Sequence, residues 1–127
     1  MVRVAAVLLL LLPALLGTAL ADCKIHRGDR VVLYSTTDDP SVLLWDSRAR
    51  LREYYAASFD EAHAMLPHAT LVAPGTHATV TSCTSNYVDS PIFERPADAI
   101  AVVTTSGPQR GLLRWVLGSD VRRLPNP

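Results

Sequence analysis

The sequence predicts a mainly β (α+β) domain that carries one helical segment, and three observations support this fold class. Runs of β-branched and aromatic residues recur along the chain and are separated by clusters of turn-forming residues. Between positions 47 and 66 the apolar residues change to helical spacing. No internal repeat and no low-complexity linker divides the chain, so we expect a single folded domain.

The first 21 residues predict a signal peptide. Arg3 gives a positive start, residues 4–16 form a leucine-rich apolar run, and small residues lead to Ala21. The run is too short to span a bilayer, and its flanks are typical of a secretory signal. We therefore divide the chain into a signal peptide at 1–21 and one domain at 22–127, and expect an exported protein, either periplasmic or secreted.

Two cysteines, Cys23 and Cys83, lie in the exported part. Compartments outside the cytoplasm are oxidising, so the pair predicts a disulfide that fastens the N-terminus to the body of the domain. Lipid anchoring through Cys23 is the less favoured alternative, because Asp22 stands where a lipobox has a small residue.

The first half of the domain predicts a hairpin followed by helix. Residues 30–35 have the composition of a strand, residues 36–41 are dense in turn formers, and residues 42–45 are the expected returning arm. Asp46 or Ser47 is expected to cap the helical segment that follows.

The helical segment has one apolar stripe. Ser58 and Glu61 have the spacing of a capping box, so we expect two short helices that meet near Ser58, or one bent helix, ending before Pro67. The periodicity predicts that Tyr55 and Phe59 lie in the core. The stripe consists of Leu51, Tyr55, Phe59, Ala62 and Leu66.

The second half returns to β structure. Residues 69–72 and 77–83 are expected as two arms around a Pro74-Gly75 turn, and the polar residues 84–90 as a loop. Residues 99–105 form the strongest predicted strand, and residues 112–117 are its expected partner after the turn at Gly107. A tight turn at 118–120 then precedes the last short strand.

This order resembles that of bacterial extracytoplasmic SH3-like (SH3b-type) small barrels. The matching pieces are the helical residues 54–66, the Pro74-Gly75-Thr76 turn and residues 107–124 with Trp115-Val116, so the resemblance covers roughly 52–124. It implies an SH3-like barrel with the helical segment inserted near 47–66 and with Trp115 in the barrel core. One departure is Arg114, which replaces the glycine usual before the tryptophan.

Charge and composition disfavour several functions. The chain has 12 basic and 12 acidic residues, and without a basic excess a nucleic-acid partner is not expected. No motif of a nucleophile beside its base and no phosphate-binding glycine loop is found, so an enzyme and a bound cofactor are not expected. His63, His68 and His77 match no metal-ligand spacing, and surface histidines are favoured over a metal site.

The expected function is non-enzymatic binding outside the cytoplasm. The candidate surface comprises the loops at 84–90 and 106–110, because aromatic and arginine side chains are common anchors of interfaces. The resemblance implies cell-wall glycopeptide or an envelope protein as partner, and the alternative is a disulfide-stapled inhibitor of a cell-wall hydrolase that inserts residues 84–91. The oligomeric state is not predicted. The named surface residues are Trp45, Arg48, Tyr87, Gln109 and Arg110.

Overall fold

The computed structural model describes residues 23–37 and 39–125, so the predicted signal peptide lies outside the described residues. The described chain is mainly β with two short helices. Its strands are β1 (Arg30–Leu33), β2 (Val42–Leu44), β3 (Thr70–Val72), β4 (His77–Val88), β5 (Ala97–Thr104), β6 (Leu113–Leu117) and β7 (Val121–Arg123). The helices are α1 (Arg48–Ala56) and α2 (Phe59–Met65), and 3₁₀ turns occupy Leu66–His68 and Gly118–Asp120.

Five strands form an open antiparallel sheet in the order β6-β5-β4-β1-β7. The longest pairing joins β4 to β5, and the first and last strands lie side by side, with Leu33 opposite Val121. The predicted strand at 99–105 is confirmed as β5, which lies between β6 and β4. The hydrogen bonding of the described strands does not close this sheet into a barrel.

The predicted hairpin of residues 30–45 is wrong, because β2 pairs with β3 in a separate two-stranded sheet. The backbone amides at the end of β1 bond to residues beside β4 and β7 instead. Leu33 donates to the Thr76 carbonyl at 2.8 Å, and Tyr34 donates to the Asp120 carbonyl at 3.0 Å. Both sides of β1 are therefore occupied by β4 and β7, and neither is left for β2.

The Pro74-Gly75 turn is confirmed, but it does not join paired arms. Gly75 has φ +95°, and the Thr76 amide donates to the Ala73 carbonyl at 3.2 Å, as a type II turn requires. The strands on either side belong to different sheets, since β3 pairs with β2 while β4 pairs with β1 and β5.

The two sheets are joined at Trp45 and Trp115. Each residue donates its backbone amide to the other's carbonyl, at 2.8 and 2.7 Å. Arg114 adds a second link, because its Nε donates to the Thr70 hydroxyl at 3.2 Å. An arginine in place of glycine therefore fastens β6 to β3 here.

Strand β4 runs to Val88, so the prediction of a loop at 84–90 is wrong for its first five residues. The polar composition is accommodated by an irregularity in the pairing between Thr84 and Val88. Asn86 adopts φ +51° at this point, and its amide donates to Oδ1 of Asp98 at 3.1 Å. The polar residues at the end of β4 therefore have a loop-like composition although they lie in a strand.

The two helices and their caps are confirmed. The Ser47 hydroxyl accepts from the Arg50 amide at 3.1 Å, and the Ser58 hydroxyl accepts from the Glu61 amide at 3.4 Å. The prediction that Phe59 lies in the core is wrong, because its side chain is 84% exposed and stacks on His63 in solvent. Leu51 is the buried residue of α1, whereas α2, which begins at Phe59, has no buried residue.

The interior has two hydrophobic clusters. The aliphatic core lies between the five-stranded and the two-stranded sheet, and includes Leu33, Leu44 and Val102. The aromatic core lies against α1 and includes Trp45, Leu51, Tyr54, Tyr55, Tyr87, Phe93 and Trp115.

The two tryptophans differ in burial from what the sequence predicted. Trp45, predicted on the binding surface, is 0% exposed in the aromatic core, because both its backbone groups and its ring are held between β6 and α1. Trp115, predicted as the central core residue, is only partly buried.

The disulfide between Cys23 and Cys83 is present and closes a separation of 60 residues. Cys83 and Ile25 pack against the aliphatic core, so the bridge fastens the N-terminal segment to the face of the sheet. Within the described part of the chain, no helix has the length and apolar character needed to cross a membrane.

Candidate functional site

A row of aromatic rings leads from the interior to the surface along α1. The ring centroids of Trp45 and Tyr54 are 4.9 Å apart, those of Tyr54 and Tyr55 are 5.0 Å apart, and those of Tyr55 and Phe93 are 5.6 Å apart. Rings at these separations and tilts attract one another beyond the area they bury. These contacts hold Tyr55 and Phe93 in place, and the two rings form one wall of a surface cavity.

That wall lines a partly open cavity of about 90 Å³, which we call the acidic cleft. Three segments meet there: the chain after β1, the loop between β4 and β5, and the 3₁₀ turn before β7. Its apolar walls come from Leu43, Tyr55, Phe93 and Leu117, its acids are Asp39 and Asp120, and the exposed Ile92 lies at its edge.

Asp120 is held in the cleft by Thr36. The Thr36 hydroxyl donates to Oδ1 of Asp120 at 3.0 Å, and the Thr36 amide donates to the same oxygen at 3.4 Å. Burial nonetheless raises the pKa of Asp120 above its ordinary value, and the nearby Asp39 carboxylate raises it further, while the Thr36 hydrogen bonds lower it in part. Desolvation dominates this balance.

Asp39 is fixed by its own loop. Its Oδ2 accepts from the Thr37 hydroxyl at 2.7 Å, and its amide donates to the Ser35 hydroxyl at 3.2 Å. Among the described residues, ion pairs involve Asp46 and Asp29 but neither Asp39 nor Asp120. The cleft therefore carries two carboxylates that no described cation neutralises, which gives it a negative potential.

Tyr55 contributes a neutral phenol to the cleft. Its burial raises the pKa of the hydroxyl well above the ordinary value of 10.0, and the carboxylates of Asp120 and Asp39 raise it further. A phenol in this environment stays protonated, so it offers a hydrogen-bond donor and an aromatic face rather than a base.

Where α1 packs beside β4, the structure brings together two of the predicted surface residues, Arg48 from α1 and Tyr87 from β4. The Arg48 guanidinium lies 5.4 Å from the Tyr87 ring centroid, and Arg52, one helical turn further along α1, lies 4.9 Å from it. Arg48 also donates to the Thr84 hydroxyl at 3.1 Å. We call Arg48, Arg52, Tyr87 and Thr84 the arginine–tyrosine cluster.

The prediction that Tyr87 is an exposed residue of a loop is wrong. Tyr87 lies within a strand, and its ring is half-buried against the aromatic core. The two arginines are exposed, so the ring acts as a platform that holds them.

Gln109 and Arg110 lie apart from this cluster. They belong to the turn after Thr104, whereas Tyr87 lies next to Val88, which pairs with Ala97 at the other end of β5. Gly107 and Gly111 allow this turn with φ +78° and +87°. The five predicted surface residues therefore do not form one face.

The three histidines do not come together. Within the described residues, one group of possible metal ligands lies within mutual reach, and it consists of Cys23, Cys83 and Asp98. Both cysteines are consumed by the disulfide, so this group is not a metal site.

The sequence predicted neither acid of the cleft as a site residue. Asp39 and Asp120 lie in segments whose composition indicates turns, and turns place carboxylates at the surface far more often than in clefts. Only the three-dimensional approach of the two segments brings them together.

Comparison with known proteins finds no matching family model, no matching curated protein and no matching solved structure. Function is therefore inferred from the residues of the chain itself.

Proposed function

We propose that this chain is an exported, non-enzymatic binding module that recognises cell-wall material or an envelope protein, built on an SH3-like small barrel. The adjacency of the first and last strands, the 3₁₀ turn that precedes the last strand, and the link of the two sheets through Trp45 and Trp115 support the barrel. The signal peptide predicted at 1–21 and the disulfide support export.

The observation that carries the proposal is the acidic cleft. An apolar, largely pre-formed concavity with a few converging polar groups is typical of a binding site. Here the polar groups are two carboxylates with no described counter-ion. A ligand that brings a cation beside an aliphatic chain relieves their repulsion and fills the apolar wall.

The matching ligand is a primary amine on a short aliphatic stem. Such amines occur on the peptides of cell-wall glycopeptide and on the lysine side chains of protein partners. An ammonium group also gains from the faces of Tyr55 and Phe93 through cation–π attraction of about 0.5–2 kcal/mol. Both classes of partner therefore fit the same site.

Co-sedimentation of the purified protein with cell-wall sacculi tests the proposal. We expect the protein to pellet with the sacculi, and Asp39→Asn/Asp120→Asn to remain in solution. The control Glu53→Gln/Asp60→Asn makes the same charge change at exposed positions and should pellet like the unaltered protein.

Two results would count against the cleft. Equal binding by both double variants would exclude it as the recognition site. If the unaltered protein does not pellet, cell-wall binding is excluded, and capture from an envelope extract with the same pair of variants then decides whether the cleft binds a protein.

Inhibition of a cell-wall hydrolase is the second candidate, and one residue favours it. The segment proposed for insertion, 84–91, is mostly strand, but the adjoining loop carries Ile92, which is 84% exposed. An exposed aliphatic side chain on a loop tip suits insertion into an active-site cleft. Stoichiometric loss of hydrolase activity, abolished by Ile92→Ser, is the expected result, and undiminished hydrolysis at excess protein excludes it.

A further inference from the structure

We propose that the arginine–tyrosine cluster is a binding site for an oxyanion, either a carboxylate or a phosphate. The site is separate from the acidic cleft, and the inference does not depend on the proposed function. It takes a ligand of the opposite charge.

The first support is geometric. Arg48 and Arg52 lie one turn apart on α1, and both guanidinium groups come within 5.4 Å of the centre of one tyrosine ring. The ring is anchored in the aromatic core, and the Thr84 hydroxyl holds Arg48 on its other side. Two flexible side chains are thus held near one point before any ligand arrives, which lowers the entropy cost of binding.

The second support is charge. Arg50, between the two arginines in sequence, pairs with Asp46 at 3.6 Å, whereas within the described chain neither Arg48 nor Arg52 pairs with an acid. Two like charges held beside one ring repel each other, and a bound oxyanion offsets that repulsion.

The third support is the position of Arg48 at the start of α1. The first turn of this helix contains no acidic residue, and the carboxylate of Asp46, just before the helix, is paired with Arg50. The helix end and the two guanidinium groups therefore act in the same direction on an approaching anion.

Guanidinium groups define the ligand class. Each presents a planar pair of N–H donors that matches the two oxygens of a carboxylate or phosphate, which an ammonium group does not. The exposed position of both arginines suits an anion on a large molecule, such as an acidic peptide or a phosphate-bearing polymer. The shared chemistry is the oxyanion, and the experiment separates the two sources.

The test is an NMR titration of the purified protein with two probes, inorganic phosphate and tetraglutamate, at constant ionic strength. We expect saturable shifts of the Arg48 and Arg52 side-chain N–H signals and of the Tyr87 ring signals with at least one probe. Tighter binding of phosphate assigns phosphate-bearing polymers, and tighter binding of tetraglutamate assigns acidic peptides.

Three variants set the controls. Arg48→Gln/Arg52→Gln should weaken binding by about tenfold or more, as expected for the loss of charge-assisted hydrogen bonds. Arg110→Gln/Arg122→Gln removes the same charge elsewhere and should change the affinity by less than about twofold; Arg122 also lies over a tyrosine ring, that of Tyr34, but without a second arginine. Arg48→Lys/Arg52→Lys keeps the charge and should bind with intermediate affinity.

The inference is overturned if neither probe gives saturable shifts at these side chains at millimolar concentration. It is also overturned if the two glutamine variants lose affinity equally, because the effect is then one of net charge. Full affinity in the lysine variant would overturn the assignment to the guanidinium fork. Thermal melting of every variant shows whether the fold is kept.

Discussion

The two hydrophobic cores differ in composition and in what they support. The aliphatic core is built from valine, leucine and isoleucine, is sealed by the two sheets and is fastened by the disulfide through Cys83. The aromatic core has fewer fully buried residues and a margin of half-buried rings, including Tyr54, Tyr55, Tyr87 and Phe93.

Both candidate sites are built on the aromatic core. Tyr55 and Phe93 form the wall of the acidic cleft, and Tyr87 is the platform of the arginine–tyrosine cluster. Aromatic rings can be packed on one face and exposed on another, so they extend a core to the surface where aliphatic side chains cannot. The difference teaches that the aliphatic core joins the two sheets, while the aromatic core carries the residues of both candidate sites.

The largest expected effect is the difference in stability loss between substitutions of the two tryptophans of the aromatic core. Trp45→Ala should lower the free energy of unfolding by about 3–5 kcal/mol, because a fully buried ring leaves a cavity between α1 and β6. Trp115→Ala should cost less, because its ring is only partly buried. Urea denaturation of both variants measures the difference. A larger loss of unfolding free energy for Trp115→Ala would contradict the conclusion that Trp45 contributes more to the aromatic core.

Reduction of the disulfide should weaken the aliphatic side of the molecule. Opening a loop of 60 residues should cost about 4 kcal/mol on the chain-entropy model. We expect a markedly lower melting temperature for Cys23→Ser/Cys83→Ser than for the oxidised protein. An unchanged melting temperature would show that the N-terminal segment adds nothing to the aliphatic core.

A smaller effect should appear in the pH dependence of stability. The pKa of Asp120 is raised by burial, so above the ordinary value of 3.8 the folded state binds a proton that the unfolded state has lost. Stability therefore falls as the pH rises from 3.8 through the raised pKa. This decrease should be absent in Asp120→Asn, so the difference in the free energy of unfolding between the two proteins, measured by urea denaturation, should change over the same pH range.

A parallel pH dependence of the two proteins would contradict the account of Asp120. It would mean that the carboxylate is solvated in the cleft, and the repulsion from Asp39 would then carry no consequence for ligand binding.

The smallest effect is expected at Phe59. Phe59→Ser should change the free energy of unfolding by less than about 0.5 kcal/mol, because the ring is 84% exposed and contributes to neither core. A loss above that, measured by urea denaturation, would place the start of α2 within the aromatic core. Tyr55→Ser is the matched comparison on the same helical stripe and should cost several times more.

Local features of the fold were predictable because they depend on neighbouring residues. The caps at Ser47 and Ser58, the turn at Gly75 and the interior strand β5 each follow from a short pattern. The strand β2 pairs with β3 because both sides of β1 are occupied by the distant strands β4 and β7, and no short pattern records these pairings. The same holds for Trp45, since composition alone does not distinguish a buried ring from an exposed one.

The candidate sites divide in the same way. Arg48 and Tyr87 were both predicted as surface residues, and Arg52 shares their cluster because helical spacing places it one turn from Arg48. The acidic cleft was missed, because Asp39, Phe93 and Asp120 come from three separate segments. Their approach is a property of the tertiary fold.

The central claim is that the acidic cleft binds a primary amine, and an NMR titration of the Asp120 carboxyl group tests it most directly. The signal is followed across pH with and without N-acetyllysine amide, which offers an ammonium group on an aliphatic stem. A bound cation favours the ionised carboxylate, so the account predicts that the amine lowers the pKa of Asp120 and shifts the Tyr55 and Phe93 ring signals in a saturable way. An unchanged pKa of Asp120 at millimolar amine, with unshifted rings, would contradict it.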